Sequence, residues 1–461
     1  MVHICYNLMK RALWTVKYSD YMEVSMQIKV KPLFILGRDF SLVWQSDGSL
    51  EWITDERTIQ LRVSELNTQL RENVKSDVVL LRESVVRSES DIQNLRKEAL
   101  EVDILHVYLM GPTSPHPLFR LGLPIIAFSG QYTPALALYT FGIERHSRPD
   151  VTIALDYAEV DQAIKRFRAK KKLQNSRIAL FGFPASLFSQ WHDWPELELT
   201  SEKLGVHFVP FENRELVEKM KLTDETEAKE LAEQWIQEAK DIVEPNSNDM
   251  IETARLYLTL SSILREMRAN SMTISCLELI HALKVTQPCY ALSKLQDNGI
   301  TAACESDITA LLSMMILSYL AEKPALMGNI VSANPENNVI MISHCVVPTR
   351  MAGFDLPSSP YILRDYHAGG TGVTAHVELP LGQDVTVARL SRSLDKILIL
   401  KGQLVACRDT TRCRTTISIK VNDAQRFVEH ALGNHHAVVY GNHIKQAILL
   451  MKTLDTEVEE L

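Results

Sequence analysis

The stretch Gly299–Leu320, GITAACESDITALLSMMILSYL, constrains the fold more than any other part of the chain. An apolar segment of β type runs up to Cys304, and two carboxylates follow at Glu305 and Asp307. Apolar residues then recur at Ile308, Leu311, Leu312, Met315 and Ile316, which is helical spacing. A helix this apolar has to be buried. A carboxylate at such a strand-to-helix turn stands at the carboxyl end of a strand, where open α/β sheets gather their ligands. Acids also suit a helix N-terminus as caps, and the stretch alone leaves both roles open.

The chain around it alternates in the same way. Met26–Leu36 reads as a first strand, residues 55–100 as charged helix, and Val102–Leu109 and Leu123–Phe128 as buried strands. A polar stretch at Lys170–Ser176 marks a boundary, after which Arg177–Phe181 restarts the pattern. Met250–Arg268 reads as a long amphipathic helix and Ser271–Val285 as a further one. Alternation of this kind predicts doubly wound parallel sheets. After His344, glycine, proline and threonine become frequent and short alternating segments appear, as in Thr374–Leu379, Asp384–Leu390 and Thr415–Val421. These predict half-buried antiparallel strands in a small barrel or sandwich. With 461 residues, too many for one ordinary core, the expected organisation is two Rossmann-like α/β domains at 1–174 and 175–345 and a β-rich domain at 346–461, with residues 1–25 as an extension.

Composition narrows the partners. A net charge of -8 argues against nucleic acid and anionic membrane surfaces. Seven cysteines, an odd number with no CxxC pair, argue against a disulfide scaffold and for a reducing cytoplasm. The longest apolar helix, Ile308–Ala321, is too short to cross a bilayer, and no signal-peptide pattern opens the chain.

Three elements bring metal-ligand types to strand ends. Glu305 and Asp307 are the first, His344 follows the buried run Val339–Ser343, and Asn434, His435 and His436 precede the apolar run Ala437–Tyr440. Carboxylate oxygens with imidazole nitrogens suit a hard or borderline divalent ion. A histidine after a strand is also a common structural residue.

At these residues the chain resembles the L-fucose/L-arabinose isomerase group, over about residues 270–450. ACESDITALLSMMIL is similar to the segment bearing the first metal carboxylate, at Glu305, and ALMGNIV to the segment bearing the second, at Asn329. ISHC matches the histidine after the next strand, His344, and NHHAVVYG the final histidine segment, with His435 as ligand and Asn434 as sugar contact. VTQPCY places a sugar-contacting glutamine at Gln287, and LGQDVTVARLSR is similar to the C-terminal signature. The resemblance implies interconversion of an aldose and a ketose through an enediol. It implies Glu305 and Asp307 as catalytic carboxylates, and a divalent ion, Mn²⁺ above others, held by Glu305, Asn329, His344 and His435. Gln287, Asn434 and His436 would contact the sugar. It implies a homo-oligomer, trimer or hexamer, with the site at a subunit interface. The sequence departs from the family at Asn329, where the family has a carboxylate. That change leaves room for a sugar-binding or regulatory relative without isomerase activity, or for an isomerase of an unusual modified sugar. Asn329 also reads as a turn residue after Gly328.

Overall fold

A computed structural model of the chain describes residues 27–37, 41–44, 49–74, 77–111, 114, 116–129, 134–182 and 195–461. The expected extension at 1–25 and the start of the first strand at Met26 lie outside these residues. The chain forms two compact units, Glu23–Lys171 and Lys172–Leu461.

The first unit is built on an all-parallel sheet. Its strand Ile28–Leu36 pairs with Val78–Leu80 and Ser84–Val86 on one side and with Ile104–Met110 on the other, and Ile125–Phe128 and Val151–Ala154 follow in order. Strand alternation sends Val30 and Phe34 to one face, where they pack with Ile59 and Val63 of the helix Glu56–Asn73. Leu33 and Ile35 go to the other face, against Phe141 and Leu118. Helices therefore cover both faces, as in a doubly wound sheet. The helix expected over 55–100 stops at Asn73. The run from Val78 to Val86 is rich in β-branched residues and feeds two short strands into the sheet edge instead.

The second unit holds three sheets: a small one of Asp241–Ile242, Tyr361–Arg364 and Thr374–Val377, and two larger ones with one helix between them. The parallel sheet runs in the order His207–Phe211, Arg177–Phe181, Ser271–Ile274, Thr301–Ala303. Ser271–Ile274 was expected to begin a helix. All four of its residues are buried, and a short apolar run buried on both faces carries no period that separates strand from helix. The other larger sheet closes on itself. Leu326–Asn334, Val339–His344, Thr415–Lys420, Lys396–Asp409, Asp384–Leu390 and His435–Tyr440 pair antiparallel in a ring, and Glu457–Glu460 adds to Lys396–Asp409 in parallel. Of the barrel or sandwich expected, the barrel is present, and its first two strands precede residue 346, where the β-rich region is expected to begin.

The helix Ile308–Ala321 packs against the parallel sheet and against the barrel strands Asp384–Leu390 and His435–Tyr440. Every residue in it except Tyr319 and Ala321 is buried, which accounts for its unbroken apolar sequence. Its N-terminus faces the end of a parallel strand and the start of a barrel strand together. Among the described residues no helix is long and apolar enough to cross a membrane.

Candidate active site

The chain leaves the strand Thr301–Ala303 at Cys304 and turns through Glu305 (φ 58°) and Ser306 (φ 57°), two successive non-glycine residues in the left-handed region. Such residues are costly and collect at functional sites. The turn is held by Ser306 N–H donating to the Ile274 carbonyl at 3.1 Å and Asp307 N–H donating to the Cys304 carbonyl at 3.3 Å. It leaves the Glu305 side chain 29% exposed and buries Asp307.

Asp307 caps the buried helix. Its Oδ1 accepts from Ala310 N–H at 2.9 Å and from the Thr309 hydroxyl at 3.1 Å. Its Oδ2 accepts from Arg389 Nη1 at 2.9 Å and from His435 Nδ1 at 2.9 Å. Burial by itself would raise this carboxyl; the Arg389 guanidinium and His435 outweigh it and hold the group well below the usual carboxylate range. With both oxygens committed to these four donors, Asp307 is placed to fix the ring and tautomer of His435, a different placement from the catalytic role expected for it.

His435 opens the barrel strand His435–Tyr440 and is fully buried. A carboxylate only accepts, so Nδ1 carries the proton and Nε2 lies on the Glu305 side, 3.8 Å from Glu305 Oε2. The His344 ring stands edge-on to it at 5.5 Å between centroids. His344 Nδ1 accepts from Val346 N–H at 3.0 Å, which places the proton of the neutral ring on Nε2, 3.4 Å from Cys304 Sγ. Burial, then the nearby His435, pushes the His344 pKa down and keeps that ring neutral. Ligand-type atoms of Cys304, Glu305 and His344 lie within 4.8 Å of one another. The Cys304 thiol is pushed well up by the neighbouring Cys276 thiol and by burial, so it stays protonated.

The other expected residues divide. Asn329 sits inside a strand rather than in a turn, paired with His435 on one side and Ser343 on the other. Directly opposed residues share a face, so Asn329 lies on the His435 face. Gly328 is needed there because a Cβ would come 2.5 Å from Ile342 Cγ2. Asn434 Nδ2 donates to Asn329 Oδ1. Gln287 donates to the Thr371 hydroxyl at 3.2 Å and braces the loop before Thr374–Val377. His436 points into the barrel: it is fully buried, 5.1 Å from the Phe427 ring. A sugar contact through His436 is thereby withdrawn, because strand alternation puts it on the face opposite His435.

Arg389 was missed. It is 3% exposed, and Nη1 bonds both Asp307 and the His435 carbonyl at 3.0 Å. Its signal was available as an arginine inside the apolar run VTVARL, since buried cations are paired.

No family model matches the chain. It is 27% identical over 372 residues to a sulfoquinovose isomerase of Clostridium sp. (strain MSTE9), spanning 75% of this chain and 80% of that protein. It is 26% identical over 320 residues to sulfoquinovose isomerases of Priestia aryabhattai and of Priestia megaterium (strain ATCC 12872 / QMB1551), spanning 64% of this chain and 67% of each of those. The chain is related to sugar isomerases. These relatives support an aldose–ketose isomerase as its enzyme class. Among solved structures, a solute-binding protein of an ABC transporter from Burkholderia multivorans aligns over 63% of this chain and 93% of its own at 9% identity, with a TM-score of 0.16 that carries no argument.

Proposed function

We propose that this chain interconverts an aldose and a ketose at Glu305 and His435, with sulfoquinovose, a hexose bearing a sulfonate at C6, or a close analogue as substrate. The observation that carries the reading is the 3.8 Å between Glu305 Oε2 and His435 Nε2, with His435 locked from behind by Asp307 and Arg389. The named relatives supply the sugar.

The donor set fits one divalent ion between Glu305 and His435, since two ligands at ~2.0–2.2 Å from a common ion can stand 3.8 Å apart. Oxygen and imidazole donors suit Mn²⁺ among others. Asn329 would add a neutral carbonyl oxygen from the same face. His344 does not fit as it sits, because its Nδ1 already accepts a backbone N–H and its Nε2 carries the proton. The ion's contribution is Lewis-acid stabilisation of negative charge developing on the sugar oxygens.

The chain's own groups move the proton. The Glu305 carboxylate removes the proton from C2, leaving an enediolate with its charge on the C1 oxygen. The C2 hydroxyl proton passes to that oxygen, Glu305 returns its proton to C1, and the ketose forms. A positioned carboxylate contributes ~10²–10⁴-fold to such a transfer. Asn329 cannot share this work, so it falls to Glu305 alone. Arg389 and Asp307 keep His435 Nε2 aimed at the reacting side throughout.

The test is ketose formation from sulfoquinovose, with D-glucose and L-fucose beside it, in buffer with Mn²⁺ and in metal-stripped buffer. Turnover on sulfoquinovose that requires the ion supports the reading. No ketose from any of the three with Mn²⁺ present overturns it in favour of a sugar-binding relative.

A further inference from the structure

A second cluster of metal-ligand side chains lies outside this machinery. Cys345 follows the barrel strand Val339–His344, Cys413 lies in the turn between Lys396–Asp409 and Thr415–Lys420, and His367 sits in the loop between Tyr361–Arg364 and Thr374–Val377. Three separate connections thus bring two thiols and an imidazole together. His367 Nε2 is 3.2 Å from Cys345 Sγ and 3.7 Å from Cys413 Sγ, and the three ligand atoms lie within 4.8 Å of one another.

These spacings match a tetrahedral ion. With Zn–S of ~2.3 Å and Zn–N of ~2.0–2.1 Å, the sulfur-to-nitrogen edge of a tetrahedron is ~3.5–3.6 Å, between the two observed values. The backbone supports the same placement. His367 (φ 53°) and Ala368 (φ 56°) are both left-handed, and the His367 ring is stacked on Tyr366 at 3.8 Å between centroids. Thiols are weak hydrogen-bond partners, a small return for two strained residues. Burial is graded across the set: Cys345 is buried, Cys413 half-buried and His367 exposed. An ion can therefore enter from solvent, with a fourth position left for water.

We propose that Cys345, Cys413 and His367 bind one thiophilic divalent ion of the zinc type. Binding forms two metal–sulfur bonds and one metal–nitrogen bond and releases the two thiol protons, with no change of oxidation state. Soft donors separate this site from the carboxylate and imidazole pair at Glu305 and His435. The ion pins the loop carrying His367 and Thr371 to two connections of the barrel, and so steadies the partner of Gln287.

Co²⁺ alone, added to the reduced full-length chain without oxygen, is the probe. One Co²⁺ per chain should give a sulfur-to-metal charge-transfer band and the visible bands of tetrahedral cobalt, bleached by one equivalent of Zn²⁺. Cys413→Ser and His367→Ala should each lose the charge-transfer band or weaken it at least tenfold, and Glu305→Gln should keep it in full. The last variant separates this site from the isomerase reading, because the band involves no turnover. Absence of the band in excess Co²⁺ overturns the proposal. So does a band that survives both Cys413→Ser and His367→Ala, or a peptide map of zinc-free protein showing Cys345 and Cys413 joined in a disulfide.

Discussion

His435 and His436 are neighbours in one strand and occupy opposite faces of the barrel. On the outer face, His435 donates to Asp307, which Arg389 also binds, and turns its other nitrogen toward Glu305. On the inner face, His436 meets the Phe427 ring, and its Nδ1 lies 3.4 Å from the Asn434 carbonyl. Burial, followed by the charge on Arg389, pushes the His436 pKa down to about 3. One residue of register separates a ring bonded to Asp307 and turned toward Glu305 from a ring packed against Phe427. The partners across the strand, and not the residue type, assign the role.

The largest effect expected on the outer face is that of Glu305→Gln. It preserves volume and removes the carboxylate proposed to carry the proton, so kcat should fall by ~10²–10⁴-fold. The urea midpoint should stay where it is, since Glu305 is partly exposed. Activity within tenfold of the parent would place the base elsewhere.

Asp307→Asn should lose both activity and stability. The substitution leaves Arg389 buried beside a neutral amide, and breaking a buried pair costs about 3–5 kcal/mol. The sign in pH follows from the lowered carboxyl. Stability from Asp307 is present above its unfolded pKa of ~3.9 and is lost as pH falls through the still lower folded value. The variant should lack this acid-end loss. Denaturant midpoints of both proteins at neutral pH and near pH 3 check it, and equal midpoints at neutral pH would remove Asp307 from the scaffold of His435.

The inner face predicts a different pH response. His436 stays neutral in the fold and gains a proton in the unfolded chain below ~6.5, so the folded state loses stability as pH falls from there toward 3. The slope from one such group reaches ~1.4 kcal/mol per pH unit. His436→Leu should flatten stability between pH 6.5 and 4.5 while leaving ketose formation at pH 7 within a few-fold. His106, fully buried in the parallel sheet of the first unit and also pushed down to about 3 by burial, would keep its own share of the slope. An unchanged slope in His436→Leu would mean that the inner ring is not held neutral.

Much of this was legible before any coordinates. The apolar helix behind two acids announced its own burial, and the alternating segments after His344 announced antiparallel strands, which close into a barrel. Glu305 and His435 could be nominated because each stands where a strand meets a loop. The roles of Glu305 and Asp307 could not be separated in the same way. The bond between Asp307 and Arg389 joins positions 82 apart in sequence, and no local pattern shows which of two nearby acids will meet a distant cation. His436 was misplaced because NHHAVVY does not show at which histidine the strand begins, and a shift of one exchanges the faces. Ser271–Ile274 was read as helix for lack of any period in four buried residues. The thiol and imidazole cluster has no CxxC pattern to announce it; three loops assemble it.

The smallest expected effect concerns the backbone that presents Glu305. Two left-handed residues in succession are a cost the inner face does not bear, at ~1–2 kcal/mol each for a residue with a Cβ. Glu305 cannot be relieved without losing its carboxylate, but Ser306 can. Ser306→Gly removes the Cβ penalty at φ 57°, offset by the greater entropy glycine loses on folding, ~0.5–1 kcal/mol. The Ser306 side chain is buried and small, so its loss leaves only a minor void. The net expectation is a gain of about 0.5 kcal/mol with ketose formation retained, read as a slightly higher urea midpoint at an unchanged slope. A loss greater than ~1 kcal/mol would show that the serine side chain, and not the backbone hydrogen bond to the Ile274 carbonyl, holds the turn. A gain in stability with a fall in kcat would show that the turn's rigidity is what aims Glu305 at the sugar.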